Sequence, residues 1–457
     1  IKEELAGKKP YRKWLDEYLV SLDNLPEPGN PTPSDSSKVT IYQQIFGYTQ
    51  EEVEMILEPM AINATEPIGS MGNDTPLAVL SDKPQLLFNF FKQLFAQVTN
   101  PPLDAIREEL VTSLEITLGT RKNIFDETPQ HARQLKLSSP VVSNLDMDKI
   151  KELNLPGLKS LTLSTLFPVS TNPGGLKNAL DKLCDKASQA IRDGYNIIIL
   201  SDRGIDEENA PIPSLLAVSG VHHHLIRTGS RTKVGLVIES AEPKEVAHFA
   251  LLIGYGAGAV NPYLALDVIE NLALSETLPK SKDSSTTYKQ NYLKAVQKGL
   301  LKIISKMGIS TIQSYRGAQI FEAVGLSQTL IDQYFTWTPS RIGGIGLTTI
   351  ENTILERHAQ SYRLLEAGIE PQLDPGGSYY WRRNGELHMW DPDTISKLQI
   401  ASRTNDYKTY KEFAQLSNEN EEKASTLRGL LSFKPGETQI PLDDVEPVEE
   451  IVKRLAT

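Results

Sequence analysis

Polar residues at the ends of apolar runs are the first candidates for chemistry in this chain. Within Ser160–Pro262, Asp202 and Arg203 follow one apolar run, and Glu239 and Ser240 follow the next. A carboxylate at the end of a buried strand can act as a general acid or base when its surroundings shift its pKa. Asp202 is therefore our strongest acid–base candidate. A strand-end salt bridge or a helix cap is the alternative interpretation for this residue.

The elements that would position these residues are parallel strands joined by helices. The apolar runs lack polar alternation, which is typical of strands covered on both faces. They are SLTLSTLFPV at 160–169, NIIILS at 196–201 and KVGLVIES at 233–240. Helical patterns over 175–193 and 214–227 separate them. The sequence therefore predicts an α/β fold with mostly parallel strands, whose functional site lies at the carboxyl ends of the strands.

Three other features are weaker candidates for chemistry. His222–His224 are consecutive on a predicted helix, so they do not share a face and are poorly placed to chelate one metal ion. Cys184 is the only cysteine, which excludes an internal disulfide and a cluster ligated by several cysteines of this chain. The glycine patterns at 254–260 and 342–347 lack the strand–turn–helix context of a dinucleotide-binding motif.

The composition argues against a nucleic-acid partner and against a membrane-spanning segment. The chain has 457 residues, 39% hydrophobic and 23% charged, with a net charge of −11. No basic cluster is evident, and an acidic surface repels phosphate, so we expect no nucleic-acid partner. No apolar run is long enough to span a membrane. We expect a cytoplasmic protein, or a plastid stromal one in a photosynthetic eukaryote.

The length predicts more than one domain. A Pro/Ser-rich stretch at 24–38 indicates an exposed linker, and residues 62–83 form a long polar loop within ordered sequence. We predict an N-terminal helix and linker over 1–38, a central domain over 39–350, and a further segment over 351–457.

Four long motifs resemble the large chain of the glutamate synthase family. They are GSMGNDTPLAVLS at 69–81, LFAQVTNPPLDAIREELVTSLEITLG at 94–119, APIPSLLAVSGVHHHLIR at 210–227 and MGISTIQSYRGAQIFEAVGL at 307–326. The resemblance implies a degenerate (β/α) barrel-like central domain that has lost its cofactor. It also implies helical N- and C-terminal extensions, of which residues 351–457 resemble the start of the FMN-binding synthase domain.

The family resemblance also implies the activity of a longer polypeptide. In this family an amidotransferase domain with an N-terminal cysteine hydrolyses glutamine. Ammonia crosses a tunnel to a synthase site, where FMN and a 3Fe–4S cluster serve the formation of glutamate from 2-oxoglutarate. Here residue 1 is Ile and the only cysteine is Cys184. We therefore expect a non-catalytic fragment without its own cofactor. Its expected partners are the amidotransferase and FMN domains, ammonia in transit, and ferredoxin or an NADPH-supplying subunit.

The same resemblance suggests which residues face the ammonia tunnel or a domain interface. The candidates are Ser70, Met71, Gly72, Asp74, Thr75, Gln97, Thr99, Asn100 and Pro101. Polar side chains and backbone carbonyls in these loops can guide neutral ammonia without trapping it as ammonium. Domain contacts alone are the alternative. Two other hypotheses remain for the whole chain: an autonomous enzyme that uses Asp202, and a pure interaction scaffold.

Overall fold

A computed structural model describes ten stretches of the chain. They are residues 1–33, 36–67, 73–94, 104–171, 173–275, 277–279, 285–369, 371–420, 426–436 and 438–455. The chain divides into two compact units, Ile1–Leu387 and His388–Thr457. The domain boundaries predicted after residues 38 and 350 remain predictions. Within the described residues, no helix is both long and apolar enough to cross a membrane.

The strands of the described residues all lie in the first unit. They are β1 (Val20–Ser21), β2 (Phe91–Gln93), β3 (Ile116–Leu118), β4 (Leu135–Leu137), β5 (Asn154–Leu155), β6 (Leu158–Ser164), β7 (Leu166–Pro168), β8 (Ile197–Ser201), β9 (Asn209–Pro211), β10 (Gly235–Glu239), β11 (Ala259–Asn261), β12 (Phe321–Leu326) and β13 (Ser340–Ile345).

The helices of the described residues connect these strands and form the second unit. They are α1 (Lys2–Ala6), α2 (Tyr11–Tyr18), α3 (Val39–Ile45), α4 (Gln50–Glu52), α5 (Glu58–Asn63), α6 (Ala105–Val111), α7 (Asn144–Lys151), α8 (Gly175–Arg192), α9 (Ser214–Arg227), α10 (Val246–Gly254), α11 (Tyr263–Leu274), α12 (Ser285–Lys306), α13 (Ile312–Tyr315), α14 (Gln328–Tyr334), α15 (Leu347–Glu366), α16 (Pro392–Thr404), α17 (Tyr407–Asn420) and α18 (Val448–Leu455).

The central sheet confirms the predicted α/β class. Its strand order is β11-β10-β8-β6-β5, and the four strands from β11 to β6 pair in parallel. Every residue of β8 and β10 is buried, as expected for apolar runs covered on both faces. Among the described residues this sheet stays open and does not close into a barrel.

The connecting helices follow the periodicity of the sequence. The pattern at 214–227 is α9, and the pattern at 175–193 is α8, which ends one residue earlier. Gly194 adopts a φ of +89° just after α8, a conformation that suits glycine and turns the chain directly into β8. Both helices contact the strands of the central sheet and each other, and their apolar faces are buried there.

A second, smaller sheet has three strands. Its order is β13-β12-β2, with β12 parallel to β13 and antiparallel to β2. The glycine pattern at 342–347 forms most of β13, so it is a strand rather than a loop between helices. Phe91 in β2 is buried, and so are Phe88 and Phe90 in the helical turn that precedes this strand.

The second unit is a helix pair followed by a shorter helix. α16 begins at the cap residue Asp391, whose side chain accepts a hydrogen bond from Thr394 N, and Pro392 occupies the first turn. α17 packs against α16, with Lys397 and Glu412 forming an ion pair between them. The second unit is therefore built around the α16–α17 pair.

Candidate functional site

The carboxyl ends of the parallel strands come together as the sequence predicts. Pairing places Ser201 beside Ser164 on one side and Glu239 on the other, and Glu239 beside Asn261. Four polar side chains therefore line one edge of the central sheet. The residues that follow these strands, Asp202 among them, complete the group.

Asp202 is buried and is held by the turn after β10. Its carboxyl group accepts hydrogen bonds from Ser240 Oγ at 2.5 Å and from Ala241 N at 3.1 Å, and the residue is 1% exposed. Burial raises the pKa of Asp202 to about 7, although the hydrogen bonds from Ser240 Oγ and Ala241 N act in the opposite direction. Asp202 thus has the pKa of an acid–base residue but lacks the exposure that a substrate requires, and the geometry favours a structural role.

The strand-end salt bridge forms at Glu239 instead of Asp202. Glu239 Oε1 lies 2.6 Å from Arg203 Nε and 2.6 Å from Lys151 Nζ, and Ser201 Oγ donates to Oε2 at 2.6 Å. Glu239 is 1% exposed. The guanidinium of Arg203 also covers the ring of Tyr263, 3.9 Å from its centroid. Two cations thus compensate one buried carboxylate, as a buried charge requires.

Asn261 ties the end of β11 to the start of α7. Its Nδ2 donates to Val142 O at 3.1 Å and to Asn144 Oδ1 at 2.9 Å, and Asn144 Nδ2 in turn donates to Asp267 Oδ1 at 3.3 Å. Asn261 is fully buried. Side chains of the sheet and of the adjoining helices therefore fill the space at this edge of the central sheet.

We expect Asp202→Asn to remove part of the pH dependence of stability. The folded state binds the Asp202 proton up to about pH 7, whereas the unfolded chain releases it near 3.8. The unfolding free energy of the parent chain should therefore fall as pH rises through this window, by on the order of a few kcal/mol, and should fall less in Asp202→Asn. Urea unfolding at about pH 4.5 and about pH 7.5 measures the difference.

Glu245, whose pKa burial raises to about 7, titrates in the same window in both proteins, so the comparison between them isolates Asp202. Asp193→Asn, at an exposed aspartate after α8, is the matched control and should leave the pH profile unchanged. Identical pH profiles for the parent chain and Asp202→Asn would contradict the raised pKa.

A cavity of about 160 Å³ lies between Glu242 and Arg357. Glu242 Oε2 accepts hydrogen bonds from Ser214 N at 2.8 Å and from Ser214 Oγ at 2.6 Å. Among the described residues Arg357 Nε is buried without a hydrogen-bond partner, and burial lowers the pKa of Arg357. Ala78 and Val79, from the segment that follows Thr75, also line the cavity. Sequence patterns do not reveal Arg357, because the other residues that line the cavity come from distant segments.

Comparison with protein families identifies this architecture. Residues 41–327 match the model of the glutamate synthase central domain. The chain belongs to the glutamate synthase family. It is 44% identical over 457 residues to the NADPH glutamate synthase large chain of Bacillus subtilis, and 38% identical over 478 residues to ferredoxin-dependent glutamate synthase 2 of Synechocystis. All of this chain aligns with both relatives, but it spans only 29% and 30% of their lengths.

Solved structures give a weaker likeness to flavin proteins. The flavin-binding domain of baker's yeast flavocytochrome b2 aligns with 71% of this chain and 96% of its own chain, at 7% identity and a TM-score of 0.32. A lactate oxidase of Pediococcus acidilactici aligns with 64% of this chain and 95% of its own chain, at 10% identity and a TM-score of 0.30. TM-scores this low carry no argument about function.

Most of the residues predicted to face a tunnel lie outside the described residues. Ser70, Met71, Gly72, Gln97, Thr99, Asn100 and Pro101 are all in this group. Asp74 and Thr75 are described and half-buried, and Thr75 N and Oγ1 both donate to Asn73 Oδ1, at 3.0 and 2.8 Å. The assignment of these residues to a tunnel or an interface remains a prediction.

The flanks of the two loops attach to opposite ends of β12. Val79, after the first loop, packs so closely over Gly325 that a side chain there would begin 2.2 Å from Val79 Cβ. Leu94, before the second loop, donates its backbone N–H to Ile320 O at 2.8 Å. The smaller sheet thus contacts the described segments that flank these two loops.

The described strand ends do not fit the cofactors that the family implies for the parent enzyme. A flavin needs open volume and N–H or cationic groups for its phosphate. At this edge Asp202 and Glu239 are buried, and the cations Arg203 and Lys151 are already paired with Glu239. An iron–sulfur cluster needs several thiolates. Burial raises the pKa of Cys184, the only cysteine, to about 12, so its thiol stays protonated.

The three consecutive histidines point to three different partners. Arg231 Nε donates to His222 Nδ1 at 2.9 Å, His223 Nδ1 lies 2.9 Å from Ser219 O, and His224 Nε2 lies 2.8 Å from Ser188 Oγ. No cluster of three or more metal-ligating side chains occurs in the part of the chain that the structure describes. The three histidines are therefore held by hydrogen bonds to separate partners.

Proposed function

We propose that this chain is the central region of a longer glutamate synthase, which forms two glutamates from glutamine, 2-oxoglutarate and a reductant. The match of residues 41–327 to the central-domain model carries the proposal. In this role the chain links the amidotransferase domain to the FMN-binding synthase domain. The parent is an oxidoreductase of CH–NH2 donors, and this chain is inactive by itself.

The proposal assigns the remaining machinery to other parts of the polypeptide. Residues 351–457 begin the FMN-binding synthase domain, while FMN and the 3Fe–4S cluster are bound beyond this region. The electron donor is ferredoxin or an NADPH-supplying subunit, and the compartment is the cytoplasm or the plastid stroma. The side chains at the carboxyl ends of the strands support the assignment of catalysis to other domains. Asp202 is buried and Glu239 is held in salt bridges, so neither is accessible to a substrate.

The loops before the central sheet are proposed to contribute to the path of ammonia. The cavity between Glu242 and Arg357 supports this idea, since it is lined by the segment that follows Thr75. The lining contains one carboxylate, Glu242, which accepts from Ser214, and two cations, Arg357 and Lys83. Positive charge therefore predominates in the cavity and repels ammonium. Neutral ammonia is thus favoured over ammonium in this cavity, which keeps the nitrogen nucleophilic.

Thr75→Val and Thr99→Val in the full-length enzyme test the ammonia path. Each change removes a hydroxyl group while keeping the shape of the side chain. We expect less glutamate per glutamine hydrolysed and free ammonia in the medium, because transit loses a polar contact. The rate with externally supplied ammonia should stay unchanged, since the synthase site is not altered.

Thr228→Val is the matched control for the ammonia path. Thr228 is exposed at the end of α9, and the chain passes from there to the start of β10, at the opposite edge of the central sheet. Its variant should couple the two reactions as well as the parent enzyme does. If Thr75→Val and Thr99→Val transfer ammonia as efficiently as Thr228→Val, the loops make domain contacts only, and the scaffold hypothesis is favoured for them.

A further inference from the structure

We propose that Arg121, Arg231 and Arg316 form a binding site for a small tetrahedral oxyanion of the phosphate or sulfate class. These three residues, the arginine cluster, lie at the amino-terminal edge of the central sheet. Arg121 follows β3, Arg231 opens the turn before β10, and Arg316 follows α13. The site is independent of ammonia transfer, which concerns the opposite edge of the sheet.

The arginine cluster surrounds a cavity of about 160 Å³ that has no acidic lining. Its other polar lining residues include Thr117, Thr232 and Gln313, all of them neutral. No carboxylate oxygen lies within 4.0 Å of any of the three guanidinium groups in the described stretches of the chain. Three positive charges thus face a cavity whose lining carries no negative charge to compensate them. Such an arrangement is unusual in a chain whose net charge is −11.

Two of the guanidinium groups share a single neutral acceptor. Gln313 Oε1 accepts from Arg316 Nη2 at 2.8 Å and also from Arg121 Nη2. An amide oxygen carries only a partial negative charge, so it satisfies the hydrogen bonds without neutralising the two cations. Each guanidinium has five N–H donors, and those that remain can bind an oxyanion in the bidentate mode for which arginine is suited.

Arg231 is fixed at the back of the cluster by neutral acceptors. Its Nη1 donates to Val234 O at 2.7 Å, its Nη2 donates to Gly256 O at 2.8 Å, and its Nε donates to His222 Nδ1. Since Nδ1 of His222 accepts, the neutral ring carries its proton on Nε2 and is a further donor. Gly256 lets the ring approach, because a Cβ there would lie 2.3 Å from His222 Nδ1.

The electrostatics of the arginine cluster agree with its geometry. Burial, followed by repulsion from Arg316 and Arg121, lowers the pKa of Arg231 to about 9. Burial, followed by repulsion from Arg121, lowers the pKa of Arg316 to about 10. Burial and repulsion from Arg231 also lower the pKa of His222, to about 2. A bound oxyanion would relieve each of these unfavourable interactions.

Binding of inorganic phosphate to the 457-residue chain tests the proposal. Isothermal titration calorimetry with phosphate and separately with sulfate, against chloride at matched ionic strength, measures the affinity. We expect saturable binding of one anion per chain and a higher Tm in its presence, because the ligand binds the folded state. Arg316→Gln and Arg121→Gln should each weaken binding roughly tenfold or more, since each removes charge-assisted hydrogen bonds.

Arg192→Gln is the matched control for the arginine cluster. Arg192 is an exposed arginine at the end of α8 that donates to Gln189 Oε1, and its variant should bind phosphate as the parent chain does. Arg121 is also exposed, so Arg121→Gln should fold even if Arg316→Gln does not; circular dichroism checks the folding of both variants.

Binding of phosphate but not sulfate, or binding of both anions, supports the site. Absence of binding, or equal affinity in Arg121→Gln and Arg192→Gln, would overturn it.

Discussion

We expect Glu51→Gln to lower the free energy of unfolding by about 3–5 kcal/mol. The Glu51 carboxylate is 1% exposed and organises the loop before the end of the first unit. Its two oxygens accept backbone N–H bonds from Gly377 at 2.8 Å, Ser378 at 2.7 Å, Tyr379 at 3.2 Å and Tyr380 at 2.9 Å. Glutamine replaces one of these oxygens with an amino group, which would face N–H donors and leave them unpaired.

Two glycines let this loop come close to Glu51. Gly376 and Gly377 have φ values of +86° and +122°, which favour glycine. A Cβ on Gly376 would also lie 2.6 Å from Glu51 Cβ. The loop is therefore shaped around the carboxylate, and it cannot easily adjust to a larger or differently charged group.

The contribution of Glu51 should depend on pH with a definite sign. Burial alone would raise the pKa of Glu51, but the backbone hydrogen bonds from Gly377, Tyr380, Tyr379 and Ser378 together lower it below its ordinary value. A lowered carboxyl pKa stabilises the folded state above the unfolded pKa, and this stabilisation is lost as pH falls through the folded pKa. The difference between the parent chain and Glu51→Gln should therefore shrink in acid.

Urea unfolding near neutral pH and at about pH 3.5 measures both expectations for Glu51. Glu54→Gln is the control, because Glu54 is exposed three residues along the same helical stretch and accepts a hydrogen bond only from Gln50 Nε2 among the described residues. It should change stability by less than about 0.5 kcal/mol. Similar losses in Glu51→Gln and Glu54→Gln would show that the loop does not depend on the carboxylate.

Local patterns predict the local structure of this chain well. The helix at 214–227 and the buried strands β8 and β10 follow directly from apolar periodicity, which reflects what each segment must bury. Which sheet a strand joins depends on distant contacts. β12 pairs with β13, which follows it, and with β2, whose segment precedes the whole central sheet in sequence.

The sequence predicts where the candidate site lies but not which of its side chains form ion pairs and hydrogen bonds with one another. The strand ends pointed to Asp202 and Glu239, but only three-dimensional packing gives the salt bridge to Glu239 and buries Asp202 in a turn. Lys151 lies 88 residues before Glu239 in a helix whose pattern shows no sign of its partner. The backbone donors of Glu51 lie more than 300 residues away for the same reason. Long-range polar pairs leave no periodic trace in a sequence.

Glu239→Gln should be the second large effect, with a loss of about 3–5 kcal/mol of unfolding free energy. The variant keeps the volume of the side chain but removes the charge that faces Arg203 and Lys151. Two cations would then remain at a buried strand end without their shared carboxylate, which costs more than the loss of an exposed pair. Denaturant unfolding measures the loss, and Glu208→Gln, at an exposed residue after β8, is the control with an expected change below about 0.5 kcal/mol.

A double-mutant cycle distinguishes the charge pair from simple packing at Glu239. Lys151→Met removes one cation while keeping most of the apolar stem, so it should partly offset the damage when combined with Glu239→Gln. We expect a coupling energy of about 1–3 kcal/mol between the two positions, because Lys151 Nζ lies 2.6 Å from Glu239 Oε1. Strictly additive losses would instead assign the effect to the other two partners of the carboxylate, Arg203 and Ser201. In that case the strand end would be stabilised by these two contacts rather than by the ion pair with Lys151.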